Sequence, residues 1–359
     1  MKIAEFSVPM PYDSESIDKL TAINESVEKS KITNVYLTLP PSCDLFTGFE
    51  QDRNVYIEKK EFEYWENLMS YSLKKGFDVI YLLNTYNIVQ LSNNNEQDKR
   101  FEKLNKLLPK LKEIGVNKIR ITNPLLIMYL KKLYPNFQIY ASTSLEFKTI
   151  REYQQFLTMY PDTKQIVPSA DVNKNFKLLK NLRKNYPNLD IEIMVSQACI
   201  KGCPHRNFHQ GIEGYGIKFC TYLYNKNIAS NLCNANNIYP WEIQEYLNIG
   251  INKFKLVGRD SFPAHTSLLL NKYNIYLKAF DNIKSVENEP FSVLLHYIPG
   301  NFLITDDIKI KDIKSYLTQI DYFKKNGHLC SSECNSEGFY CFNCAKKINE
   351  QLKLEFTKE

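Results

Sequence analysis

Short runs rich in apolar and β-branched residues recur along most of the chain, and longer amphipathic runs separate them. Short apolar runs bounded by polar or turn residues are typical of buried strands. Eight strands are predicted on this basis, at Lys2–Val8, Thr33–Leu39, Asp78–Leu83, Lys118–Thr122, Gln138–Ala141, Gln165–Val167, Asp190–Val195 and Lys253–Val257.

The runs between these strands place apolar residues three or four positions apart, a spacing typical of helices that bury one face. One such run carries Leu104, Leu107, Leu108, Leu111 and Ile114. Further helices are predicted at Ser14–Ser30, Phe62–Lys75, Leu125–Leu133, Ile150–Met159, Asn175–Asn185 and Pro240–Leu247.

The alternation of strands and helices predicts an α/β fold. Eight strands that nearly all precede a helix indicate a closed (β/α)8 TIM-like barrel, although an open doubly wound sheet has the same rhythm. No glycine-rich phosphate-binding turn follows the first strand, which disfavours a dinucleotide-binding sheet.

The rhythm breaks after Phe280. We therefore expect the barrel to occupy residues 1–280 and a small Cys-rich appendage to occupy residues 281–359. Within the appendage, Phe291–Tyr297 is predicted to be a strand and Lys311–Phe323 a helix.

One strand-to-helix connection is unusually long. More than forty residues separate Val195 from Pro240, whereas such loops usually take about 2–6 residues. Long loops at the strand ends of a barrel are where binding and catalytic residues concentrate. The sequence therefore predicts the functional site in this connection.

Composition narrows the class of protein. Hydrophobic residues make up 43% and charged residues 24%, which is typical of a globular chain and excludes a disordered one. The formal charge of +6 permits an acidic partner such as RNA without requiring one. Without a signal segment or an apolar run of about 18 residues, we expect a cytoplasmic protein with no membrane span. In that reducing compartment the nine cysteines are expected to be thiols.

Eight of these cysteines fall into two groups of four, which is typical of metal sites. The first group lies in the long connection. Only its first two members are close in sequence, and this spacing favours an iron-sulfur cluster over structural zinc, which prefers two close pairs. Buried, inert cysteines stay an alternative. The group comprises Cys199, Cys203, Cys220 and Cys233.

The second group is more compact and lies in the predicted appendage. Its spacing suits either a zinc site or a second iron-sulfur cluster, and we expect the bound metal to order the C-terminal region. The group comprises Cys330, Cys334, Cys341 and Cys344.

Several polar residues near the first group are candidates for chemistry. His205 and His209 flank the cysteines and could relay protons or bind an anion, with loop packing as the alternative. Arg259 follows the last strand, where it could clamp a carboxylate or phosphate or close the barrel rim through an ion pair. Ser142–Ser144 follow the fifth strand and should also lie at the barrel mouth, bonding either a substrate or their own loop.

From about Val116 to Asp260 the sequence resembles the collagenase-like peptidase U32 family. The resemblance is carried by the strand ending Ala141-Ser142-Thr143, by the cysteines from Cys199 onward, and by Ile238–Glu242 followed by Gly250–Arg259. The common His-Gly of that family after the seventh strand is Ser196-Gln197 in this chain.

The resemblance implies a barrel that binds a [4Fe-4S] cluster through Cys199, Cys203, Cys220 and Cys233. It also implies oxygen-independent hydroxylation of an RNA base or a small aromatic substrate, the reactions of its RNA-modifying and ubiquinone-pathway members. Two alternatives stay open: a peptidase or peptide-maturation protein, and a non-enzymatic cluster-carrying subunit that needs a paralogous protein partner. Proteolysis is the weaker alternative, because the sequence has neither Gly-x-Ser-x-Gly nor His-Glu-x-x-His and a cluster ligand is not a free nucleophile.

Overall fold

The computed structural model describes residues 2–39, 62–84, 94–197, 201–203, 236–257, 266–294, 308–314, 346 and 350, with the backbone alone at 94–100. Eight parallel strands pair in chain order, and β8 pairs with β1 to close the barrel. The predicted (β/α)8 TIM-like architecture is therefore confirmed, and the open sheet is excluded. The strands are β1 Ala4–Pro9, β2 Ser30–Leu37, β3 Asp78–Leu83, β4 Lys118–Ile121, β5 Gln138–Ala141, β6 Gln165–Ile166, β7 Asp190–Val195 and β8 Lys253–Leu256.

Helices follow the strands and cover the outside of the barrel with their apolar faces. Several begin at sequence signals for helix starts, such as the Asp13 cap, the Thr149–Glu152 capping box and Pro124 in the first turn. The helices are α1 Ser14–Glu25, α2 Phe62–Lys74, α3 Asn94–Ile114, α4 Pro124–Leu133, α5 Ile150–Met159, α6 Phe176–Asn185, α7 Ile243–Leu247, α8 Thr266–Asp281 and α9 Ile310–Ile313.

The first helix is shorter than predicted, because residues up to Ser30 do not continue it. The backbone N–H of Ser26 bonds to the carbonyl of Ile23 and ends α1 after Glu25. The Asn24 side chain then exchanges two hydrogen bonds with the backbone of Ile32, of 2.9 and 2.7 Å, which turns the chain into β2. The hydrogen bonds between the Asn24 side chain and the backbone of Ile32 thus compete with continuation of the helix.

The predicted strand at Phe291–Tyr297 is wrong over its described part, where Phe291–Leu294 form a 3-10 helix. A closed barrel offers no sheet edge to pair with a ninth strand. A 3-10 turn places Phe291 and Leu294 on one side, and both are fully buried against the barrel core. The predicted helix at Lys311–Phe323 is represented by α9, and its later residues lie outside the described ones. The division of the chain at residue 280 stays a prediction.

The barrel lumen contains a buried ion pair that spans it. Arg120 on β4 approaches Glu192 on β7 with an Nη2–Oε2 distance of 2.6 Å, and the two side chains are 0% and 1% exposed. Ser7 on β1 donates a 2.6 Å hydrogen bond to the other oxygen of that carboxylate. Nearer β8, the Lys255 ammonium lies 4.3 Å from the centre of the Tyr36 ring.

The amino-terminal end of the barrel is closed by a second set of charges. Lys253 lies 3.1 Å from Glu5 and 3.4 Å from Asp190, so it links β8 to both neighbouring strands. Burial lowers the pKa of Lys253, but the two carboxylates more than offset this, and its pKa lies above the ordinary value. No helix among the described residues is both long and apolar enough to cross a bilayer.

Candidate functional site

The first cysteine group is represented in the described structure by Cys203. It lies in the β7–α7 connection, at the end of the barrel where the strands finish, and its thiol is partly buried and free of a disulfide. Among the described residues no three metal-ligating side chains gather. The other predicted site residues lie outside the described residues: Cys199, Cys220, Cys233, His205, His209, Arg259, Cys330, Cys334, Cys341 and Cys344.

A single carboxylate connects the two ends of the cysteine-bearing connection. Asp171 lies on a short 3-10 turn, Ala170–Val172, which follows β6. Its Oδ1 accepts a 3.0 Å hydrogen bond from the backbone N–H of Gly202 and another 3.0 Å bond from the side-chain amide of Asn236. The start and the end of the long connection are thus brought together beside Cys203.

The loops after β5 and β6 support this carboxylate from the other side. Lys148 places its ammonium 3.1 Å from Oδ2 of Asp171. The hydroxyl of Ser169 donates a 2.6 Å bond to Glu146 and accepts a 3.3 Å bond from the backbone N–H of Asp171. Glu146 has φ +53°, an uncommon conformation for a residue other than glycine. The position of Asp171 is therefore determined by Lys148 on the loop after β5 and by Ser169 on its own loop.

The Ser142–Ser144 segment lies at the mouth, as predicted from its place after β5. The Ser142 hydroxyl accepts a 3.3 Å bond from the backbone N–H of Ser144, and the Thr143 hydroxyl donates a 2.9 Å bond to the carbonyl of Pro168. Of the two roles predicted for these residues, the structure shows bonding within their own loop for Ser142, whereas Thr143 bonds to the neighbouring loop after β6.

The segment that returns from the connection is held firmly against the barrel. The Tyr276 hydroxyl on α8 donates a 2.6 Å bond to the carbonyl of Ile238, and burial keeps the pKa of that hydroxyl well above its ordinary value. The Tyr239 and Trp241 rings stack with centroids 5.0 Å apart and an interplanar angle of 8°. Glu242 accepts a 2.9 Å bond from the backbone N–H of Tyr239. The Ile238–Glu242 motif singled out in the sequence therefore anchors the exit of the connection.

Ser196 begins the connection in a strained conformation. Its φ is +55°, its side chain is 0% exposed, and its hydroxyl has no hydrogen-bond partner among the described residues. The next residue, Gln197, and Asn237 on the returning segment also carry buried amide atoms without described partners. Strain and unpaired polar groups of this kind concentrate at functional sites.

Replacing Ser196 with glycine should raise the free energy of unfolding by about 1 kcal/mol, because glycine adopts positive φ without strain and removes a buried, unpaired hydroxyl. Urea denaturation of the metal-free protein measures the change. Ser142→Gly is the matched control, since Ser142 also ends a barrel strand but has φ −75° and a paired hydroxyl. That variant should lose stability, and an equal loss for Ser196→Gly would contradict the strain argument.

A family model describes most of the chain. The model of peptidase family U32 matches residues 52–296, which include β3 to β8 and the four cysteines of the first group. This chain belongs to peptidase family U32. The resemblance inferred from the sequence motifs is thereby confirmed. The second cysteine group of this U32 chain lies outside the matched range.

Solved structures similar to the U32 chain include the U32 peptidase Mk0906, with 12% identity, a TM-score of 0.44, and coverage of 72% of this chain and 93% of that one. CdNal from Clostridium difficile, solved in complex with mannosamine, has 10% identity and a TM-score of 0.37, covering 98% and 99% of the two chains. CpGH84B has 11% identity and a TM-score of 0.43, covering 99% and 64%. None of the curated proteins matches the sequence.

Sequence reasoning missed Asp171 and Asn236. Both had a usable signal: Asp171 lies in the short loop after β6, next to the strand that leads into the cysteines, and Asn236 follows Cys233 by three residues. A carboxylate at the carboxyl end of one barrel strand and an amide near the adjoining connection are placed to meet at one rim.

Proposed function

We propose that this U32 protein is an iron-sulfur-dependent, oxygen-independent modifying enzyme that hydroxylates an RNA base or a small aromatic substrate at the barrel mouth. The cluster would be a [4Fe-4S] cluster held by Cys199, Cys203, Cys220 and Cys233. The observation that supports this most directly is the Asp171 contact, which joins both ends of the cysteine-bearing connection at the end of the barrel where TIM-like enzymes bind substrates.

The donor set fits such a cluster. Cys203 is partly buried and directly follows Gly202, one of the two residues that donate hydrogen bonds to Oδ1 of Asp171. Consecutive Cα atoms are about 3.8 Å apart, so the three Cα–Cα steps from Cys233 to Asn236 span at most roughly 11 Å. Cys199 is equally close to Gly202 in sequence. Chain connectivity therefore keeps three of the four thiols near one anchored point, as a shared cluster requires.

When bound, such a cluster exchanges single electrons, which is chemistry that protein side chains alone do not supply. The residues of the chain itself would bind and orient the substrate beside it. His205 and His209 are proposed to move protons, and Arg259 to hold a carboxylate or phosphate.

The second cysteine group is proposed to form a separate site, occupied by zinc or by a second cluster. Cys330, Cys334, Cys341 and Cys344 fall within 15 residues of sequence, and a bound metal would order this part of the chain. A paralogous protein partner is the proposed requirement if the purified protein carries its cluster but modifies nothing alone.

Anaerobic purification followed by iron, sulfide and zinc analysis tests the cofactor part of the proposal. We expect about four iron and four sulfide per chain at the first site. Mass spectrometry of RNA and of small aromatic metabolites from a strain lacking the gene tests the reaction, and the expected result is the loss of one hydroxylated product. A protein that binds no iron but cleaves peptides would overturn the proposal in favour of a peptidase.

A further inference from the structure

The contacts of Asp171 have a feature that a structural surface carboxylate would not need. Lys148 already supplies a counter-ion at 3.1 Å to Oδ2. Oδ1 nevertheless accepts two further hydrogen bonds, from Gly202 and from Asn236, and these residues are far apart in sequence. The carboxylate is only 12% exposed, so these donors are not easily replaced by water.

The two donors bracket a defined part of the chain. Three cysteines of the first group, Cys203, Cys220 and Cys233, lie between Gly202 and Asn236. Bringing the ends of a long chain segment together costs conformational entropy that grows with its length. A carboxylate that is fixed on the barrel and binds both ends offsets part of this entropy cost through its hydrogen bonds.

Local backbone geometry supports the same function for this region. Gly202 has φ +69°, a conformation that turns its N–H toward the carboxylate without a side-chain penalty. Ser196 and Glu146 are the described non-glycine residues with positive φ, and both lie on loops at this rim. Strained residues persist where surrounding contacts fix them, and Glu146 shares Ser169 and Lys148 as partners with Asp171.

We propose that Asp171 is a positioning residue, whose carboxylate clamps both ends of the cysteine-bearing connection and so prearranges the thiols for metal binding. The proposal rests on the proposed function in one respect, because the metal it prepares for is the cluster. The clamp consists of contacts among Asp171, Gly202 and Asn236, so it can be tested in the metal-free chain.

Hydrogen exchange measured by mass spectrometry on the metal-free full chain tests the clamp directly. Asp171→Asn should accelerate exchange in the peptide that contains Gly202 by about 10- to 100-fold, since a hydrogen bond to a charged acceptor is lost or weakened. Asp162→Asn is the matched control, because Asp162 pairs with Lys131 on the surface and is 74% exposed. Unchanged exchange at Gly202 in Asp171→Asn would overturn the proposal.

A second variant guards against simple misfolding. Asn236→Asp sets two carboxylates against each other and should also expose the connection. Combining it with Asp171→Asn removes the repulsion between the two carboxylates, so the double variant should be less exposed at Gly202 than Asn236→Asp. A double variant as exposed as Asn236→Asp would contradict a direct contact between these two side chains.

Anaerobic reconstitution with iron and sulfide separates the clamp from the proposed function. If the clamp prearranges the thiols, Asp171→Asn should load iron at least about 10-fold more slowly than the parent chain, and the double variant should load iron faster than Asn236→Asp. Equal loading rates would overturn the prearranging role. A parent chain that binds no iron at all would overturn the proposed function, while the exchange result would still decide the clamp.

Discussion

Arg120→Met should lower the free energy of unfolding by about 3–5 kcal/mol, because it leaves the Glu192 carboxylate buried without its counter-ion. Glu192 is 1% exposed and would keep one neutral hydrogen bond, from Ser7. The cost of a buried charge exceeds what that single bond contributes. Urea denaturation of the metal-free protein measures the loss.

Two comparisons make this prediction specific. Adding Glu192→Gln to Arg120→Met should recover most of the lost stability, since the amide keeps an acceptor for Ser7 and carries no charge. Lys131→Met, which breaks the exposed pair with Asp162, should change stability by less than about 1 kcal/mol. If Arg120→Met is as mild as Lys131→Met, Glu192 is not a buried charge that depends on Arg120.

Cys203→Ala should abolish iron binding at the first site, because a [4Fe-4S] cluster that loses one of four thiolates has an incomplete ligand set. The anaerobically prepared variant should lose the brown colour of the parent chain. Since Cys203 is only partly buried, the metal-free variant should unfold at the same urea concentration as the metal-free parent.

Two further cysteine variants separate the sites. Cys43→Ala should keep the full metal content, because Cys43 lies apart from both cysteine groups. Cys341→Ala should remove only the metal of the second group. The metal that remains bound after Cys203→Ala, iron or zinc, identifies the metal of that second group. A Cys203→Ala protein that retains its cluster would exclude Cys203 as a ligand.

Strand positions were predictable from sequence to within a few residues, because each strand is a short apolar run between polar turns. The polar residues inside the barrel lumen were not predictable in this way. In β4 the pattern Lys118-Ile119-Arg120-Ile121 alternates correctly, yet alternation alone does not say which face points into the barrel. Arg120 meets a partner 72 residues away only because β4 and β7 lie across the lumen, and that relation follows from closure of the barrel.

The candidate site was likewise predictable from the sequence only in part. The cysteine spacing and the long connection predict its place, since metal ligands and loop length are local features of sequence. The contact of Asp171 with Gly202 and Asn236 depends on a main-chain donor in one case and on a distant amide in the other. Sequence position places Asp171 and Asn236 at one rim, but nothing in the sequence says that Gly202 and Asn236 share this carboxylate, so the contact itself required the folded chain.

Because its two ends meet at Asp171, the cysteine-bearing connection is attached to the barrel in the manner of an inserted module. An insertion with adjacent ends can change in length and amino-acid sequence without displacing the strands that carry it. The barrel and the insertion are therefore open to separate evolutionary change, with the barrel constrained by its core and the insertion by the function proposed for it. Exchanging the segment between Gly202 and Asn236 among relatives, with both anchor residues retained, offers a route to transplant specificity from one barrel to another.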